Sequence, residues 1–158
     1  RVIGLRFGTV NGYSANLRVD VMINSMYHSV QNGKGIQVMN PHISRAMLGI
    51  EDLCRAIEHC IDAPVPGIYN LASFNGIVGE IAQAVSDKLG VDIIDKGTTA
   101  NAYDFALDTT LFEQTYDFTF EETPATIVDS LIQNYTQSTP QWRDKYIIYN
   151  WESENARR

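Results

Sequence analysis

Basic residues are scarce in this sequence, which has 12 Lys and Arg against 19 Asp and Glu and a formal net charge of −7. A surface that follows nucleic-acid phosphates needs an excess of basic side chains. We therefore expect no nucleic-acid partner. Long apolar runs are also missing, because the longest are a few residues and a membrane-spanning helix needs about 20. The sequence predicts no membrane partner either, although a single arginine can still hold a small phosphorylated ligand.

Cysteine is scarce too. Cys54 and Cys60 lie six residues apart in a segment with helical apolar spacing, so their side chains diverge and a mutual disulfide is geometrically poor. Together with His59 they do not match the short ligand spacing of zinc sites, and we expect no metal site. Buried or half-buried reduced thiols are the expected state, which favours a reducing, cytoplasmic compartment.

Apolar residues dominate the opening segment, and a polar segment with Gly8 and Gly12 follows it. This pattern predicts a strand at 2–7 that is covered on both faces, as in parallel sheets, and then a loop at 8–12. Such a strand needs neighbours that this chain hardly supplies. If nothing pairs with it, an exposed apolar edge favours self-association.

Alternating helices and strands follow, without a repeat, and the 44% apolar and 20% charged residues are ordinary for a globular chain. Helical spacing of apolar residues predicts helices at 18–31, 50–62 and 77–89, a short helix after Asp108, and a last helix capped by Thr123 with Pro124 at its first position. Strands are predicted at 36–39, 68–72 and 103–107, with an irregular stretch at 40–49. The element order predicts an α/β fold.

Three ordered segments carry a family resemblance: Leu5 to Gly12, Arg45 to Arg55 and Tyr69 to Ser73. They resemble the Leu-Arg-x-x-x-Val-Tyr-Gly, Arg-Asp-Phe-x-His-Val-x-Asp-x-Ala and Tyr-Asn-x-x segments of the NAD-dependent epimerase/dehydratase family, the extended short-chain dehydrogenase/reductases. The likeness covers residues 2 to about 135 and corresponds to the C-terminal half of that family.

Two family motifs are not found in these residues: the nucleotide-binding glycine fingerprint and the Tyr-x-x-x-Lys catalytic pair. The nearest glycine cluster, Gly33-Lys34-Gly35, has Val38 where a third glycine would fall, and we interpret it as a helix stop. We therefore assign no catalytic residue. The chain also starts with Arg1 rather than methionine, and we expect a fragment, a processed product or an incomplete gene that is inactive as an isolated chain.

The resemblance implies the C-terminal part of a Rossmann-type NAD(P)-binding fold, with its late sheet strands, plus a small α/β substrate-binding domain. Residues 1–12 and 50–72 would belong to the Rossmann-type domain, and residues 13–49 and 73–137 to the substrate-binding domain. Residues 138–158 would form a C-terminal arm. A packed arm is favoured, with a partner contact or a partly disordered end as alternatives.

The resemblance also implies site residues near the carboxyl end of the first strand, where open α/β sheets bind ligands. Phe7, Gly8 and Thr9 are predicted to contact the cofactor, and Thr9, Asn11 and Asn24 to contact substrate. In the family the position that matches Thr9 is often asparagine, and the position that matches Asn11 is usually tyrosine. The alternatives are that Thr9 and Asn11 shape a turn and that Asn24 is a helix-surface amide.

Arg45 is the fourth predicted substrate residue, because it matches an arginine that holds the diphosphate of the sugar nucleotide in many family members. Its surroundings depart from the family pattern, with Ala46 for aspartate and Gly49 for histidine. A structural salt bridge or a solvent-facing arginine is the alternative. Asp52 matches a family aspartate, and we interpret it as a helix-start residue rather than an acid catalyst.

These expectations combine into one functional hypothesis and one alternative. The first is the C-terminal substrate-binding portion of an NAD-dependent nucleotide-sugar epimerase/dehydratase-like protein. NAD or NADP would be bound by the full-length parent and not stably by this chain alone. The expected partners are a nucleotide sugar and either a missing N-terminal half or a second copy of the chain. The alternative is a non-catalytic sugar-nucleotide-binding or assembly module derived from that family.

Overall fold

The structure is a computed structural model that describes residues 2–99 and 102–136. These residues contain seven strands and five helices. In chain order they are β1 (Ile3–Phe7), β2 (Thr9–Asn11), α1 (Met22–Gln31), β3 (Ile36–Val38), β4 (Ser44–Gly49), α2 (Ile50–Asp62), β5 (Gly67–Leu71), β6 (Phe74–Ile77), α3 (Val78–Leu89), β7 (Ile93–Asp95), α4 (Thr110–Tyr116) and α5 (Pro124–Asn134). The predicted α/β class is confirmed.

Strands β1 and β5 form a two-stranded parallel sheet, in register from Ile3 opposite Gly67 to Phe7 opposite Leu71. Among the described residues β1 has no second neighbour, so its outer edge carries unpaired backbone groups. Leu5 packs against a core, whereas Phe7 is about half exposed. The prediction that this strand is covered on both faces is therefore wrong for the described chain, because only one strand and one layer of helices accompany it.

A second sheet has the order β2-β4-β6, with β2 parallel and β6 antiparallel to β4. This sheet corrects two predictions, since residues 9–11 are a strand rather than loop and residues 44–49 a strand rather than an irregular stretch. The middle strand, β4, is buried on both faces at Ala46, Met47 and Leu48. Such a strand shows no apolar alternation, which is why its sequence pattern gave no signal. Strands β3 and β7 form a separate parallel pair.

Three helices lie where the sequence predicts them. Helix α2 has the predicted bounds, and α3 begins one residue later than predicted and ends before Gly90, which adopts the left-handed φ of 65°. Helix α5 begins with a capping box in which Thr123 and Thr126 each bond the other's backbone N–H. Local capping signals of this kind can be read directly from sequence.

Helix α1 begins at Met22, four residues later than the predicted start at 18. Residues 19–21 form a bend instead, and Arg18, just before this bend, pairs with Asp20. The first turn of α1 is capped from a distance, because Asn11 Oδ1 accepts the Ile23 N–H at 2.9 Å. A cap supplied twelve residues away gives no local signal.

Residues 103–107 are not the strand that their alternation predicts. Their backbone bonds are isolated: the Phe105 N–H donates to Ser44 O at 3.3 Å, and the Leu107 N–H donates to Asn75 Oδ1 at 2.9 Å. Because one of the two partners is a side chain, no strand ladder forms.

The described residues pack into two hydrophobic cores. The larger core lies among α1, α3, α5 and β3, and it includes Ile23, Ile36, Val85, Ile127 and Leu131. The smaller core lies between β5 and helices α2 and α4 and is rich in aromatic rings, with Tyr69, Phe112, Tyr116 and Phe118 among its members. The ring centroids of Phe112 and Tyr116 are 4.7 Å apart.

Apolar side chains remain at the surface around the smaller core. Ile61 at the end of α2 is 71% exposed, and Ile68 is 60% exposed on the face of the β1–β5 sheet that points away from the smaller core. Cys60 is buried and Cys54 is exposed, both without a disulfide, so the expected burial is wrong for Cys54, which lies on the solvent side of α2. In the two described ranges no helix has the length and apolarity to cross a membrane. The predicted arm at 138–158 lies outside the described residues.

Candidate functional site

Two cavities adjoin β2. The first, of about 420 Å³, is called the asparagine cavity here, and its lining residues are Val10, Asn11, Gly12, Ser14, Asn16, Arg18, Asn24 and Ile50. The second, of about 450 Å³, is called the arginine cavity, and its lining residues include Thr9, Arg18, Asp20, Ser25, Gln37 and Arg45. Arg18 lines both.

Thr9 and Arg45 reach the arginine cavity from neighbouring strands. Thr9 lies opposite Met47 in the β2–β4 ladder, and Arg45 is two residues before Met47. Side chains two residues apart on a strand share a face, so Thr9 and Arg45 lie on the same face of this sheet. The Arg45 guanidinium donates to Ser44 O at 3.1 Å and lies 5.8 Å from the centre of the Phe105 ring.

Arg18 stands at the boundary between the two cavities. Its Nε and Nη2 donate to the Asp20 carboxylate at 3.1 and 2.9 Å. Donation of these hydrogen bonds to Asp20 raises the pKa of Arg18, so this side chain is charged at any ordinary pH. Sequence reasoning missed Arg18, and the Arg-x-Asp spacing in a bend was the only available signal.

Asn11 is buried, 1% exposed, and its amide is used by the fold. Its Nδ2 donates to Thr9 O at 2.7 Å and contacts Met47 Sδ at 3.3 Å, while its Oδ1 caps α1 through Ile23. The side chain therefore both fixes the end of β2 and starts the next helix. This structural role is close to the alternative in which Asn11 shapes the local chain.

Asn24 is also buried, so the alternative of a helix-surface amide is wrong. Its Oδ1 accepts the Gly12 N–H at 2.8 Å, and its Nδ2 donates to Gly12 O at 3.1 Å and to Arg18 O at 2.8 Å. Gly12 has a φ of 118°, which favours glycine, and Asn24 holds this conformation on both sides of the residue. Asn24 thus shapes the wall of the asparagine cavity.

Phe7 and Gly8, the other predicted cofactor residues, lie where β1 passes into β2. The Gly8 N–H donates to Leu71 O at 2.9 Å, and a Cβ at Gly8 would lie 2.8 Å from Ala46 O. The missing side chain of Gly8 therefore makes room for β4 rather than for a ligand. Of the three predicted residues, only Thr9 and the half-exposed Phe7 present a side chain that could contact NAD, and they form no cofactor cradle by themselves.

A pair of carboxylates lies at the start of α2, next to this site, and we call Asp52 and Glu122 the carboxylate clasp. Glu122 Oε2 accepts the N–H groups of Glu51 and Asp52 at 2.9 and 3.1 Å. In return, the fully buried Asp52 accepts the N–H groups of Glu121 and Glu122 at 3.1 and 2.9 Å. Ser73 Oγ also donates to Asp52, at 2.6 Å.

Gly49 makes room for this clasp, because a Cβ there would collide with the Glu122 carboxylate. Burial raises the pKa of Glu122, and the nearby Asp52 charge adds to the effect. Arg55 bonds Asp52 at 3.2 Å and Glu121 at 2.7 Å. The two carboxylates mainly accept backbone N–H groups, and Ser73 and Arg55 bond Asp52 through their side chains. This agrees with Asp52 as a helix-start residue.

Solved structures of other proteins share the fold of this chain. The dTDP-glucose 4,6-dehydratase of Bacillus anthracis, solved with NAD, has a TM-score of 0.70 and 20% identity over 84% of this chain and 45% of that one. The UDP-N-acetylglucosamine 4-epimerase of Bacillus cereus has a TM-score of 0.68 and 20% identity over 89% of this chain and 48% of that one. The enzyme WbmG of Bordetella bronchiseptica, solved with NAD and UDP, has a TM-score of 0.65 and 18% identity, over 92% and 45%.

The chain has a Rossmann-type α/β fold. It spans less than half the length of the solved proteins named above. No protein-family model and no curated protein matches it, so the likeness is one of fold. The predicted fold class is confirmed, and the assignment to a C-terminal half stays a prediction.

Within this Rossmann-type fold the predicted site residues separate into two groups. Thr9 and Arg45 line the arginine cavity, whereas Asn11 and Asn24 line the asparagine cavity. The side chains of Asn11 and Asn24 are held by hydrogen bonds to backbone groups. The Arg45 guanidinium contacts Ser44 O and the Phe105 ring. Their assigned ligand contacts stay predictions. No group of three His, Cys, Asp or Glu side chains within the described ranges could hold a metal ion.

Proposed function

We propose that this chain is the C-terminal, substrate-binding portion of an NAD-dependent nucleotide-sugar epimerase/dehydratase-like protein. The observation that carries the proposal is the meeting of Thr9 and Arg45 in one cavity, on one face of a sheet. The two residues are 36 positions apart, and the family resemblance assigns both to substrate. A guanidinium beside a hydroxyl is suited to a diphosphate, because both donate hydrogen bonds to phosphate oxygens.

The bare side of the β1–β5 sheet supports a missing N-terminal half as partner. Parallel sheets are normally covered on both faces, and here Ile68 is exposed and β1 has one neighbour among the described residues. The solved proteins named above are more than twice as long as the part matched. Self-association through the same edge is the second possible partner for this surface.

NAD or NADP belongs to the full-length parent in this proposal. The cofactor would supply the hydride chemistry there, and the catalytic pair and most of the cofactor contacts would come from residues outside this chain. Since a side chain at Gly8 would collide with Ala46, Phe7 and Thr9 are the two of the three predicted cofactor residues whose side chains could contact NAD. Stable binding of NAD by the isolated chain is not expected.

The division into domains and the compartment are part of the same proposal. Residues 1–12 and 50–72 would complete the Rossmann-type domain, with residues 13–49 and 73–137 forming the substrate-binding domain. Helix α4 packs in the smaller core together with β5, so this part of the second domain lies against the first. A reducing, cytoplasmic setting belongs to the same proposal, since Cys54 and Cys60 lie six residues apart on helix α2, where a mutual disulfide is geometrically poor.

A non-catalytic sugar-nucleotide-binding or assembly module is the alternative. It is favoured by two positions that differ from the family: Asn11 caps α1, and Gly49 makes room for Glu122. Both positions serve the fold in this chain rather than a reaction. The intact mass of the natural product, captured from its source cells with an antibody against this segment, distinguishes the two. A product about twice this size favours the enzyme portion, and a product of this size favours the module.

Binding of UDP-N-acetylglucosamine and dTDP-glucose, measured by calorimetry on the 158-residue chain, tests the shared part of both hypotheses. Replacing Arg45 with Gln should weaken binding about tenfold or more, because a charge-assisted hydrogen bond is lost. Arg6→Gln removes the same charge from an exposed site outside both cavities and should leave affinity unchanged. Equal affinities for the wild-type and Arg45→Gln chains would contradict the proposal.

A further inference from the structure

The chain passes between the two cores at several points. Three of these passages connect a residue that packs in one core with a residue that packs in the other, over only a few positions. They run from Met47 to Leu48 within β4, from Leu71 to Phe74, and from Phe120 to Ile127. We call these three stretches the passages.

Ser73 joins the first two passages. Its N–H donates to Met47 O at 2.7 Å, and its Oγ accepts the Gly49 N–H at 2.9 Å. The same Oγ donates to Asp52 Oδ2 at 2.6 Å. One serine therefore holds the connection between β5 and β6 against the end of β4 and also bonds the first turn of α2.

Asp52 joins the third passage to the other two. Its carboxylate is fully buried and accepts the N–H groups of Glu121 and Glu122 at 3.1 and 2.9 Å, in addition to the Ser73 hydroxyl. Arg55 lies 3.2 Å from this carboxylate and supplies the opposite charge. Burying a carboxylate is unfavourable unless its charge and its hydrogen bonds are met. Here both are met, and the donors come from separate passages.

We propose that Asp52 and Ser73 form an interlock that makes the two cores open and unfold as one cooperative unit. The two side chains bond all three passages at once, so opening either core pulls on a stretch of chain that the other core needs. Buried polar networks whose members are all satisfied hold one arrangement, and their bonds strengthen each other. This inference goes beyond the proposed function, because it concerns the coupling of two parts of the chain and involves no ligand.

Amide hydrogen exchange of the 158-residue chain, followed by NMR, measures the opening of each core separately. Cys60 and Tyr116 report the smaller core, and Val85 and Leu131 report the larger one. Ile127→Val shortens a fully buried side chain of the larger core, and it should speed exchange there about two- to tenfold. If the cores are coupled, the same variant should speed exchange in the smaller core by the same factor.

Breaking the interlock should stop this transmission. In an Asp52→Asn background, Ile127→Val should still speed exchange in the larger core and should leave exchange in the smaller core unchanged. The asparagine keeps the size of the side chain, but it removes the charge and turns a donor toward the N–H groups that Asp52 accepts. If Asp52→Asn does not fold, Ser73→Ala allows the same comparison, because it removes the bonds between the first two passages and α2.

Asp129→Asn is the matched control. It removes the same charge from a half-exposed carboxylate that pairs with Lys88 and bonds none of the passages. In this background Ile127→Val should still speed exchange in both cores equally.

Two results would overturn the inference. If the smaller core responds to Ile127→Val as strongly with Asp52→Asn as without it, Asp52 only caps the start of α2. If the smaller core does not respond in the wild-type background, the cores open independently. Neither result bears on nucleotide-sugar binding, which the Arg45→Gln variant tests separately.

Discussion

The two cores of this protein differ in how completely they are covered. The larger core is enclosed by α1, α3, α5 and β3, and its members, such as Ile127 and Leu131, are fully buried. The smaller core is covered on one side by α2 and α4, while the other face of the β1–β5 sheet exposes Ile68. The larger core is therefore enclosed on all sides by its own elements. The smaller core lies under a sheet that is covered on one face.

Core truncation should show the largest effect of this difference. Leu131→Ala should lower the free energy of unfolding by about 3 kcal/mol, because the transfer energy of the side chain is lost and a cavity remains. Ile61→Ala, at a 71% exposed position, should cost less than about 0.5 kcal/mol. Urea unfolding followed by circular dichroism measures both. Equal losses would contradict the contrast between the two regions.

The carboxylate clasp ties the uncovered region to the start of α5. Gly49→Ala should lower the free energy of unfolding by about 1–2 kcal/mol, because the new Cβ displaces Glu122 from the N–H groups that it caps. Glu122→Ala alone should cost a similar amount, and the double variant should cost clearly less than the sum. Additive losses would show that Gly49 acts independently of Glu122.

The charge of Glu122 should make stability depend on pH in a defined direction. Its pKa is raised by burial, so the folded protein holds this proton more tightly than the unfolded chain. The contribution of Glu122 is therefore fully present below the ordinary glutamate pKa, and it is lost as the pH rises through the raised value.

Glu122→Gln keeps an oxygen acceptor for the α2 cap and removes the titration. Its free energy of unfolding relative to wild type should increase as the pH rises above the ordinary glutamate pKa, and it should level off once the pH exceeds the raised pKa of Glu122. Asp129→Asn, at a half-exposed carboxylate paired with Lys88, is the matched control and should not show this increase. A flat difference for Glu122→Gln would contradict the assigned direction.

The bare sheet face should have the smallest effect on stability and a clear effect on association. Ile68→Lys should change the free energy of unfolding by about 0.5 kcal/mol or less, since the side chain is 60% exposed. It should also raise the monomer fraction in light scattering, because a charge on a bare sheet opposes association. A wild-type chain that is monomeric at all concentrations would contradict self-association through this surface.

Local signals in the sequence predicted the helices better than the strands. Helix α5 has its cap and its Pro124 within two neighbouring residues, and α3 ends at a glycine with a positive φ. Strands β2, β4 and β6 have no such signals, because β4 is buried without alternation from Ala46 to Gly49 and β2 and β6 are three and four residues long. Their existence depends on pairing with each other.

The α/β class, the bounds of α2 and the caps of α3 and α5 could be predicted from the sequence alone, since periodicity and capping act within a few residues. Packing in three dimensions was needed to show that Asn11 caps α1, that Glu122 occupies the space next to Gly49, and that Arg18 and Arg45 line one cavity. Each of these depends on residues at least 12 positions apart. Such contacts form only when the sheets and helices pack, and no local pattern in the chain records them.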